Sequence, residues 1–269
     1  MKAKTEELLF LALWACDTLS RPTFRNLTDS FEGWAYRNGL LRQLHRLERR
    51  QLLERQSGEG RDRLHRLTEA GRLQALGGRD PEARWKRPWD GRWHLVLFDV
   101  PEVRSAERNK LRRYLQNRGF GYLQNSVWIT PDSVSEERAL LAGGPVDVES
   151  LLLLEARPCA GESDEEIVAG AWDFDNINER YGRHQGVLAR RPRRRLDTEA
   201  TAKVFYRWLS EEREAWMDVM GRDPLLPESL LPRGYAGRQA WRNRVAVMTE
   251  AGEQMRAFKG TGKAGMARQ

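Results

Sequence analysis

The sequence predicts an α+β protein built of three successive domains. Residues 1–80 combine helical apolar spacing with a glycine-rich hairpin, residues 89–160 alternate short apolar strands with helices, and residues 161–269 carry helical spacing alone. Because 269 residues exceed the length of a typical single domain, a division into two or three domains is expected.

The first predicted domain contains three helices followed by a two-stranded hairpin. Apolar side chains recur at helical spacing in three successive runs, and Ser57-Gly58-Glu59-Gly60 then supplies a turn between two short strands. This order is typical of a winged helix-turn-helix, whose third helix enters the DNA major groove while the hairpin tip contacts phosphates. Thr68-Glu69-Ala70-Gly71 closes the hairpin and begins a further helix. The predicted helices span residues 5–18, 24–31 and 34–50, and the predicted strands span residues 52–56 and 61–67.

The third predicted helix presents the face expected to read DNA. Its Leu40, Leu44 and Leu47 face inward, and arginines with a glutamine lie on the opposite face. Arginine bonds guanine edges bidentately and glutamine does so with adenine, so this mixture suits base recognition. The alternative is a small helical bundle with a solvated arginine face. The candidate DNA-binding residues are Arg42, Gln43 and Arg46 for the bases, Arg49 and Arg50 closer to the phosphates, and Arg61 and Arg63 at the wing.

The charge balance favours an anionic partner for the first domain. The chain carries a formal net charge of +7, and residues 1–80 contribute 15 basic and 11 acidic side chains to it. A moderately basic module is typical of proteins that bind the phosphate backbone of nucleic acids.

The composition of the chain also indicates the cellular compartment in which the protein works. The longest apolar stretch, residues 8–16, is too short to span a membrane, and the acidic Glu6 and Glu7 beside it argue against an export signal. The two cysteines, Cys16 and Cys159, fall in different predicted domains, which excludes a disulfide framework. We therefore expect a cytoplasmic protein with no membrane partner.

The second predicted domain follows a polar, broken stretch, residues 77–88, which we interpret as a linker. Its order of strand, helix, strand, strand, helix and strand is the split βαβ arrangement of ferredoxin-like domains. Ser105 is the expected N-cap of the first helix and Gly119 its C-terminal stop. The predicted strands span residues 93–100, 120–124, 126–130 and 149–155, and the second helix begins near Ser135.

The third predicted domain is helical. The capping box Ser163-x-x-Glu166 begins a helix whose buried side includes Ile167, Ala171, Phe174, Asn178 and Tyr181. An arginine-rich run, residues 190–195, precedes a second helix over residues 198–220, and a last helix begins near Arg238. The run could contact DNA or a CoA phosphate, but a solvated loop is the favoured interpretation.

Motifs along the central and C-terminal segments resemble those of the phenylacetic-acid-degradation repressor (PaaX) family. The resemblance spans nearly the whole chain, and the motifs are specific in combination. They are Trp89-Asp90-Gly91-Arg92-Trp93, Val96-Leu97-Phe98-Asp99-Val100-Pro101-Glu102, Arg108-x-x-Leu111-Arg112, Gly119-Phe120-Gly121, Ser126-Val127-Trp128-Ile129-x-Pro131, Asp223-Pro224-x-Leu226-Pro227-x-x-Leu230-Leu231-Pro232, Gly237-x-x-Ala240 and, in the third helix, Leu44-x-Arg46-Leu47.

The resemblance implies a dimeric bacterial repressor with a winged N-terminal domain. It also implies a middle domain related to the small ferredoxin-fold nucleases of CRISPR adaptation, and release from DNA on binding an aryl-CoA thioester. We therefore expect a ligand-responsive transcriptional repressor that binds operator DNA as a homodimer, is not an enzyme and uses no cofactor.

Two rival hypotheses remain: a metal-dependent nuclease, and a DNA-binding regulator controlled by a protein partner. Asp99 ends the first strand of the middle domain, and two such aspartates facing across a dimer could hold Mg²⁺. The favoured alternative is that Asp99 fixes the turn at Val100-Pro101 or caps the next helix. The four histidines are isolated from one another, so no metal site is expected.

Two further expectations concern assembly and ligand. One recognition helix reads only a few base pairs, so a dimer is expected to place two helices roughly 34 Å apart on a pseudo-palindrome. The central or C-terminal domain is expected to make the dimer interface. Trp85, Trp89 and Trp93 could stack on an aryl ligand or pack at a domain interface.

Overall fold

A computed structural model gives the structure of the chain. No helix in the part of the chain it describes is both long and apolar enough to cross a lipid bilayer. The structure describes residues 46–57, 63–76, 78–99, 105–124, 126–134, 150–159, 161–195 and 199–257.

The chain mixes α and β structure, as predicted, with a small antiparallel sheet and a helical C-terminal region. The strands are β1 (Leu53–Ser57), β2 (Arg63–Leu67), β3 (Trp93–Asp99), β4 (Gly121–Gln124), β5 (Val127–Thr130) and β6 (Ser150–Ala156). The helices are α1 (Glu69–Ala75), α2 (Pro81–Trp85), α3 (Ser105–Asn117), α4 (Asp164–Ala171), α5 (Phe174–Ala189), α6 (Glu199–Met220), a 3₁₀ turn (Glu228–Leu230) and α7 (Gly237–Ala257).

These elements group into two compact units, neither of which is contiguous in sequence. The hairpin unit comprises the described residues within 1–80, 183–217 and 239–269, and the sheet unit comprises those within 81–182 and 218–238. The predicted division at residues 1–80, 89–160 and 161–269 stays a prediction.

The sheet unit is organised around an antiparallel sheet with strand order β4-β5-β3-β6. β3 pairs with β5 in the register Val96↔Trp128 and with β6 in the register Val96↔Leu153. Period-two alternation turns one side of each strand toward a shared core, which α3 covers. That core contains the buried Val96, Phe98, Leu111, Leu115, Phe120, Trp128 and Val134.

The hairpin unit holds the β1–β2 hairpin and long amphipathic helical segments. Its aromatic and aliphatic core residues recur at three- and four-residue spacing along α6 and α7, which places them on one face of each helix. The buried side chains on these two helices include Phe205, Trp208, Leu209, Trp216, Ala240, Trp241, Met248 and Ala251.

Most predicted elements in the described residues are confirmed, within a residue or two at each end. The hairpin, the strands, the capping box at Ser163 and Glu166, and the last helix are all present, and the helix predicted to follow Ser105 begins at Ser105 itself. The first two predicted helices and the helix near Ser135 lie outside the described residues.

The interpretation of the stretch 77–88 as a linker is wrong for residues 81–88, because α2 lies within them. Pro81 and Trp85 are buried, and the guanidinium groups of Arg84 and Arg87 form salt bridges to the Asp132 carboxylate. The pairing partner lies more than 40 residues away, so local composition could not reveal it. Residues 81–88 are therefore a packed part of the sheet unit.

The single helix predicted to begin after Ser163 is also wrong, since α4 and α5 are separate helices. Trp172 breaks the helix in an extended conformation, and its buried indole N–H donates to Gly119 O at 3.1 Å. The Asp173 carboxylate then accepts from Asn176 N at 2.9 Å and so caps α5. The long-range tryptophan contact outweighs the continuous helical spacing of the sequence.

Candidate nucleic-acid interface

The described end of the predicted third helix exposes three arginines. Residues 46–49 are helical, Arg46, Arg49 and Arg50 are exposed, and Leu47 between them is fully buried. Positions i, i+3 and i+4 lie on one helix face, so the three guanidinium groups share the outward side while Leu47 anchors the inward side. This is a cationic face able to meet phosphates or base edges.

This helix ends in a Schellman motif at Gln51. Gln51 adopts a left-handed conformation with φ of 56°, its N–H donates to Glu48 O at 2.8 Å, and Leu52 N–H donates to Leu47 O at 3.0 Å. Leu52 and Leu47 are both buried, which supplies the hydrophobic contact that accompanies this motif. The helix end is therefore a defined structure rather than a frayed one.

Thr68 connects this helix end to the hairpin. Its hydroxyl donates to Gln51 O at 2.7 Å, and its N–H donates to Leu52 O at 3.2 Å. The same hydroxyl oxygen accepts from Gly71 N at 2.9 Å as the N-cap of α1. Through its side chain and its backbone N–H, Thr68 thus joins the arginine-bearing helix end, the residue that precedes β1 and the helix that follows β2.

The hairpin predicted to be a wing consists of two regularly paired strands. β1 and β2 are antiparallel in the register Leu53↔Leu67 through Ser57↔Arg63. Of the predicted wing residues, Arg63 occupies the first position of β2. Arg61, Arg42 and Gln43 lie outside the described residues. The structure therefore brings Arg46, Arg49 and Arg50 together on one face, and the predicted contacts of the other four residues stay predictions.

A further basic feature, which we call the arginine loop, comprises residues 190–195 after the end of α5. Arg191 donates to Glu250 Oε2 at 2.6 Å and to Gln254 Oε1 at 2.7 Å. The Gln254 amide donates to Pro192 O at 2.8 Å and to Arg194 O at 2.6 Å. The sequence showed the run of arginines, but it could not show that α7 anchors the loop backbone, because these contacts span about 60 residues.

The Asp223-Pro224 motif builds a buried hydrogen-bond centre in the sheet unit. The Asp223 carboxylate accepts from the hydroxyls of Tyr181 and Tyr235 and from Leu225 N at 2.7 Å. Burial, together with the Asp223 charge, raises the pKa of both tyrosine hydroxyls well above the ordinary range, so both stay protonated donors. A Cβ at Gly237 would meet the Tyr235 ring, which explains the glycine of that motif. This centre is structural.

The three tryptophans considered as an aryl-stacking cluster do not form one stack. Trp85 packs edge-on against Tyr235 with ring centroids 6.1 Å apart. Trp89 packs on Trp93 at 5.3 Å, and Trp93 packs on Trp172 at 6.1 Å. Trp85 and Trp93 are buried, so these rings belong to the packing of the sheet unit.

Asp99, the weak metal candidate, lies exposed at the end of β3, opposite Ser150. Among the described residues, no three histidine, cysteine, aspartate or glutamate side chains gather in a way that could hold a metal ion.

Two protein-family models match the chain. The PaaX protein central Cas2-like domain matches residues 86–168, and the PaaX-like protein C-terminal domain matches residues 172–257. Among solved structures, the chain is similar to the uncharacterized protein Rv0674 from Mycobacterium tuberculosis, with 22% identity and a TM-score of 0.54, over 96% of this chain and 100% of that chain. At this identity the likeness shows a shared fold. A search of the curated proteins found no match.

Proposed function

We propose that this chain, which belongs to the PaaX family, is a transcriptional repressor that binds a two-fold operator as a dimer and leaves it on binding an acyl- or aryl-CoA thioester. The family points to a transcriptional regulator, and the resemblance stated from the sequence is confirmed. In this proposal the chain acts in the cytoplasm, and it works by binding DNA and an effector and not by catalysing a reaction.

One observation carries the DNA-binding proposal. Arg46, Arg49 and Arg50 are exposed on one face of a helix end, and Thr68 links that end by hydrogen bonds to the antiparallel hairpin. A helix followed by a two-stranded wing is the arrangement with which winged helix-turn-helix domains grip the major groove and the adjacent phosphates. This supports a winged N-terminal domain with its reading face on the third predicted helix.

The topology of the sheet supports a ferredoxin-like middle domain. β3, β4, β5 and β6 are the first to fourth strands of this sheet along the chain, and their spatial order is second, third, first, fourth. α3 connects the first strand to the second, with the third strand lying next to the first. That is the order expected of a split βαβ fold.

The dimer is proposed to form through the sheet unit. β6 has β3 as its neighbour and lies at one edge of the described sheet, and its Leu152 and Leu154 are 57% and 45% exposed. They share a face with Leu95 and Leu97 of β3, opposite the core side. An apolar sheet face of this kind is costly to leave in water, and a second copy of the chain would cover it.

Replacing Leu152 and Leu154 by Glu tests the dimer. We expect sedimentation equilibrium to show a monomer, whereas the control replacement of Val204 and Met217, exposed on α6 of the hairpin unit, should leave the dimer intact. An unchanged dimer in the first variant, or dimerisation of residues 1–80 with residues 85–269 monomeric, contradicts this interface.

DNA titrations at several salt concentrations test the reading helix. Arg42→Ala or Gln43→Ala should reduce the free energy of binding to the operator by about 1–3 kcal/mol and relax the sequence preference at one base position. Arg61→Ala or Arg63→Ala should weaken binding to the operator and to a scrambled duplex alike. Each substitution should lower the slope of log affinity against log salt concentration by about one. If the first pair changes neither affinity nor base preference, the reading face lies elsewhere.

A thermal-shift series with CoA thioesters tests the effector. A ligand at 100 times its dissociation constant adds about 2.7 kcal/mol to the free energy of unfolding, which a melting curve resolves. The same thioester should release the protein from its operator. If no thioester shifts the melting temperature or releases DNA, the effector proposal is wrong.

A further inference from the structure

We propose that the arginine loop, residues 190–195, is a second DNA-backbone contact that acts alongside the proposed reading helix; the inference rests on the proposed DNA-binding function. Five of its six residues are arginines, and Arg193, Arg194 and Arg195 are exposed. Within the described part of the chain, none of these three has a recorded hydrogen-bond or ion-pair partner, and their exposed side chains lie where an external anion can approach.

The loop backbone is held in place, which distinguishes it from a solvated charge run. The Gln254 side chain of α7 donates to the carbonyls of Pro192 and Arg194 and accepts from Arg191. Arg191 also pairs with Glu250 and is only 12% exposed. The loop thus uses one arginine as an anchor and presents three others outward, and less ordering entropy is lost when such a loop binds.

The arrangement favours an extended polyanion over a small one. Three consecutive exposed arginines on an open loop match a row of phosphates along a duplex strand, where charge neutralisation releases counterions. A small anion such as a CoA phosphate is bound in a concave site with convergent donors. The loop belongs to the same compact unit as the described part of residues 1–80, which carries the exposed Arg46, Arg49 and Arg50.

The experiment measures binding of the full chain to a random-sequence DNA duplex over a range of salt concentrations. Each phosphate contact contributes about 0.9 to the slope of log affinity against log salt. We expect the triple variant Arg193→Ala, Arg194→Ala, Arg195→Ala to lower the slope by about two to three. Its binding at 0.1 M salt should weaken roughly tenfold for each phosphate that an arginine no longer neutralises. The triple Arg→Lys variant should keep the slope, because a lysine also neutralises a phosphate.

Two matched variants separate the proposal from a general loss of charge. Arg113→Ala, Arg222→Ala, Arg233→Ala removes three exposed arginines of the sheet unit, and its slope should stay near the wild-type value. Gln254→Ala removes the anchor and should weaken binding severalfold with little change in slope, because the three exposed arginines remain. If the sheet-unit variant lowers the slope as much as the loop variant, the effect is global and the proposal is wrong.

The remaining outcomes are also decisive. A loop variant with wild-type slope overturns this proposal and leaves the proposed repressor function standing, provided the wild-type chain binds the duplex. A wild-type chain that binds no duplex overturns both. If the loop variant binds DNA normally but loses a CoA-induced rise in melting temperature, the loop is a CoA phosphate site and the DNA assignment is wrong.

Discussion

The Nε2 atom of His184 lies 3.0 Å from the Oε1 atom of Glu212, and neither side chain is exposed to solvent. The same carboxylate accepts from Arg244 Nε at 2.6 Å, and the Arg244 guanidinium lies 4.4 Å from the centre of the Trp216 ring. This places a buried ion pair, one histidine and an aromatic face within the hairpin unit. Burial raises the pKa of the Glu212 carboxyl, but the Arg244 charge and the two hydrogen-bonded partners lower it more, so the net pKa lies below its ordinary value.

Removing the charge of Glu212 should destabilise the fold strongly. Glu212→Gln leaves the buried Arg244 cation without a counterion, which costs about 3–5 kcal/mol in the free energy of unfolding. Urea denaturation followed by circular dichroism measures it. The neighbouring exposed Glu211, whose carboxylate lies 3.9 Å from Arg190, is the control, and Glu211→Gln should cost less than about 1 kcal/mol. Equal losses in the two variants contradict the role of the buried pair.

The Asp132 carboxylate should make the free energy of unfolding fall at acid pH. Burial raises the pKa of its carboxyl, but the Arg87 hydrogen bond and the charges of Arg84 and Arg87 outweigh burial, so the pKa lies below the ordinary value of about 3.9. The stabilisation is therefore fully present above the unfolded-state pKa and is lost as the pH falls through the folded-state pKa.

Unfolding curves measured from about pH 6 down to pH 2 test this linkage. Asp132→Asn should show a smaller loss of stability below about pH 4 than the wild-type chain. Asp175→Asn, at an exposed position of α5, should follow the wild-type curve. If the free energy of unfolding of Asp132→Asn falls with pH in parallel with that of the wild-type chain, the Asp132 carboxylate does not contribute to the pH dependence.

Gly121 should be intolerant of any side chain. A Cβ there would lie 2.7 Å from the Cβ of Ala171 and 2.7 Å from Cε2 of Trp172, so Gly121→Ala forces the packed α4 end to move, at a cost of about 1–3 kcal/mol. Gly170 in α4 has open space around it, and Gly170→Ala should stabilise the helix by about 0.5–1 kcal/mol. The melting temperatures of the two variants should therefore shift in opposite directions. Shifts of the same sign would contradict the close packing of Gly121 against Ala171 and Trp172.

The junction of Thr68 and Gln51 should respond to two substitutions in opposite ways. Thr68→Ala loses the cap of α1 and the bond to Gln51 O, at a cost of about 1 kcal/mol, whereas Thr68→Ser keeps the hydroxyl. Gln51→Gly relieves the left-handed conformation and should stabilise by about 1 kcal/mol. Denaturant midpoints measure both, and a destabilised Gln51→Gly variant contradicts the assigned helix end.

Local patterns in the sequence were sufficient to predict much of the fold. The glycine-rich turn between alternating strands predicted the hairpin, Ser163 and Glu166 predicted the start of α4, and Gly119 predicted the end of α3, where it adopts a φ of 87°. Turns, caps and strand alternation depend on residues a few positions apart, so one sequence contains all the information they need.

Other features depended on partners that are distant in the chain. The polar composition of residues 81–88 predicts a linker, and it does not show that Asp132 pairs with Arg84 and Arg87. In the same way, the run of arginines does not show that Gln254 donates to the carbonyls of the arginine loop. His184 is one of the four histidines that stand isolated in the sequence, and the tertiary structure places it in the core beside Glu212.

The sequence by itself determined the class of the fold, the hairpin, the strand positions of the sheet unit, the family and the cationic character of the predicted DNA-binding face. These follow from spacing, capping chemistry and motif composition, which act over one or two helical turns. Only the tertiary structure decided which of the described arginines are exposed and which are anchors or ion-pair partners, where the buried Glu212 cluster forms and why Gly121 and Gly237 lack side chains. The reason is that burial and charge pairing are properties of groups brought together by folding, often from positions 30 to 60 residues apart.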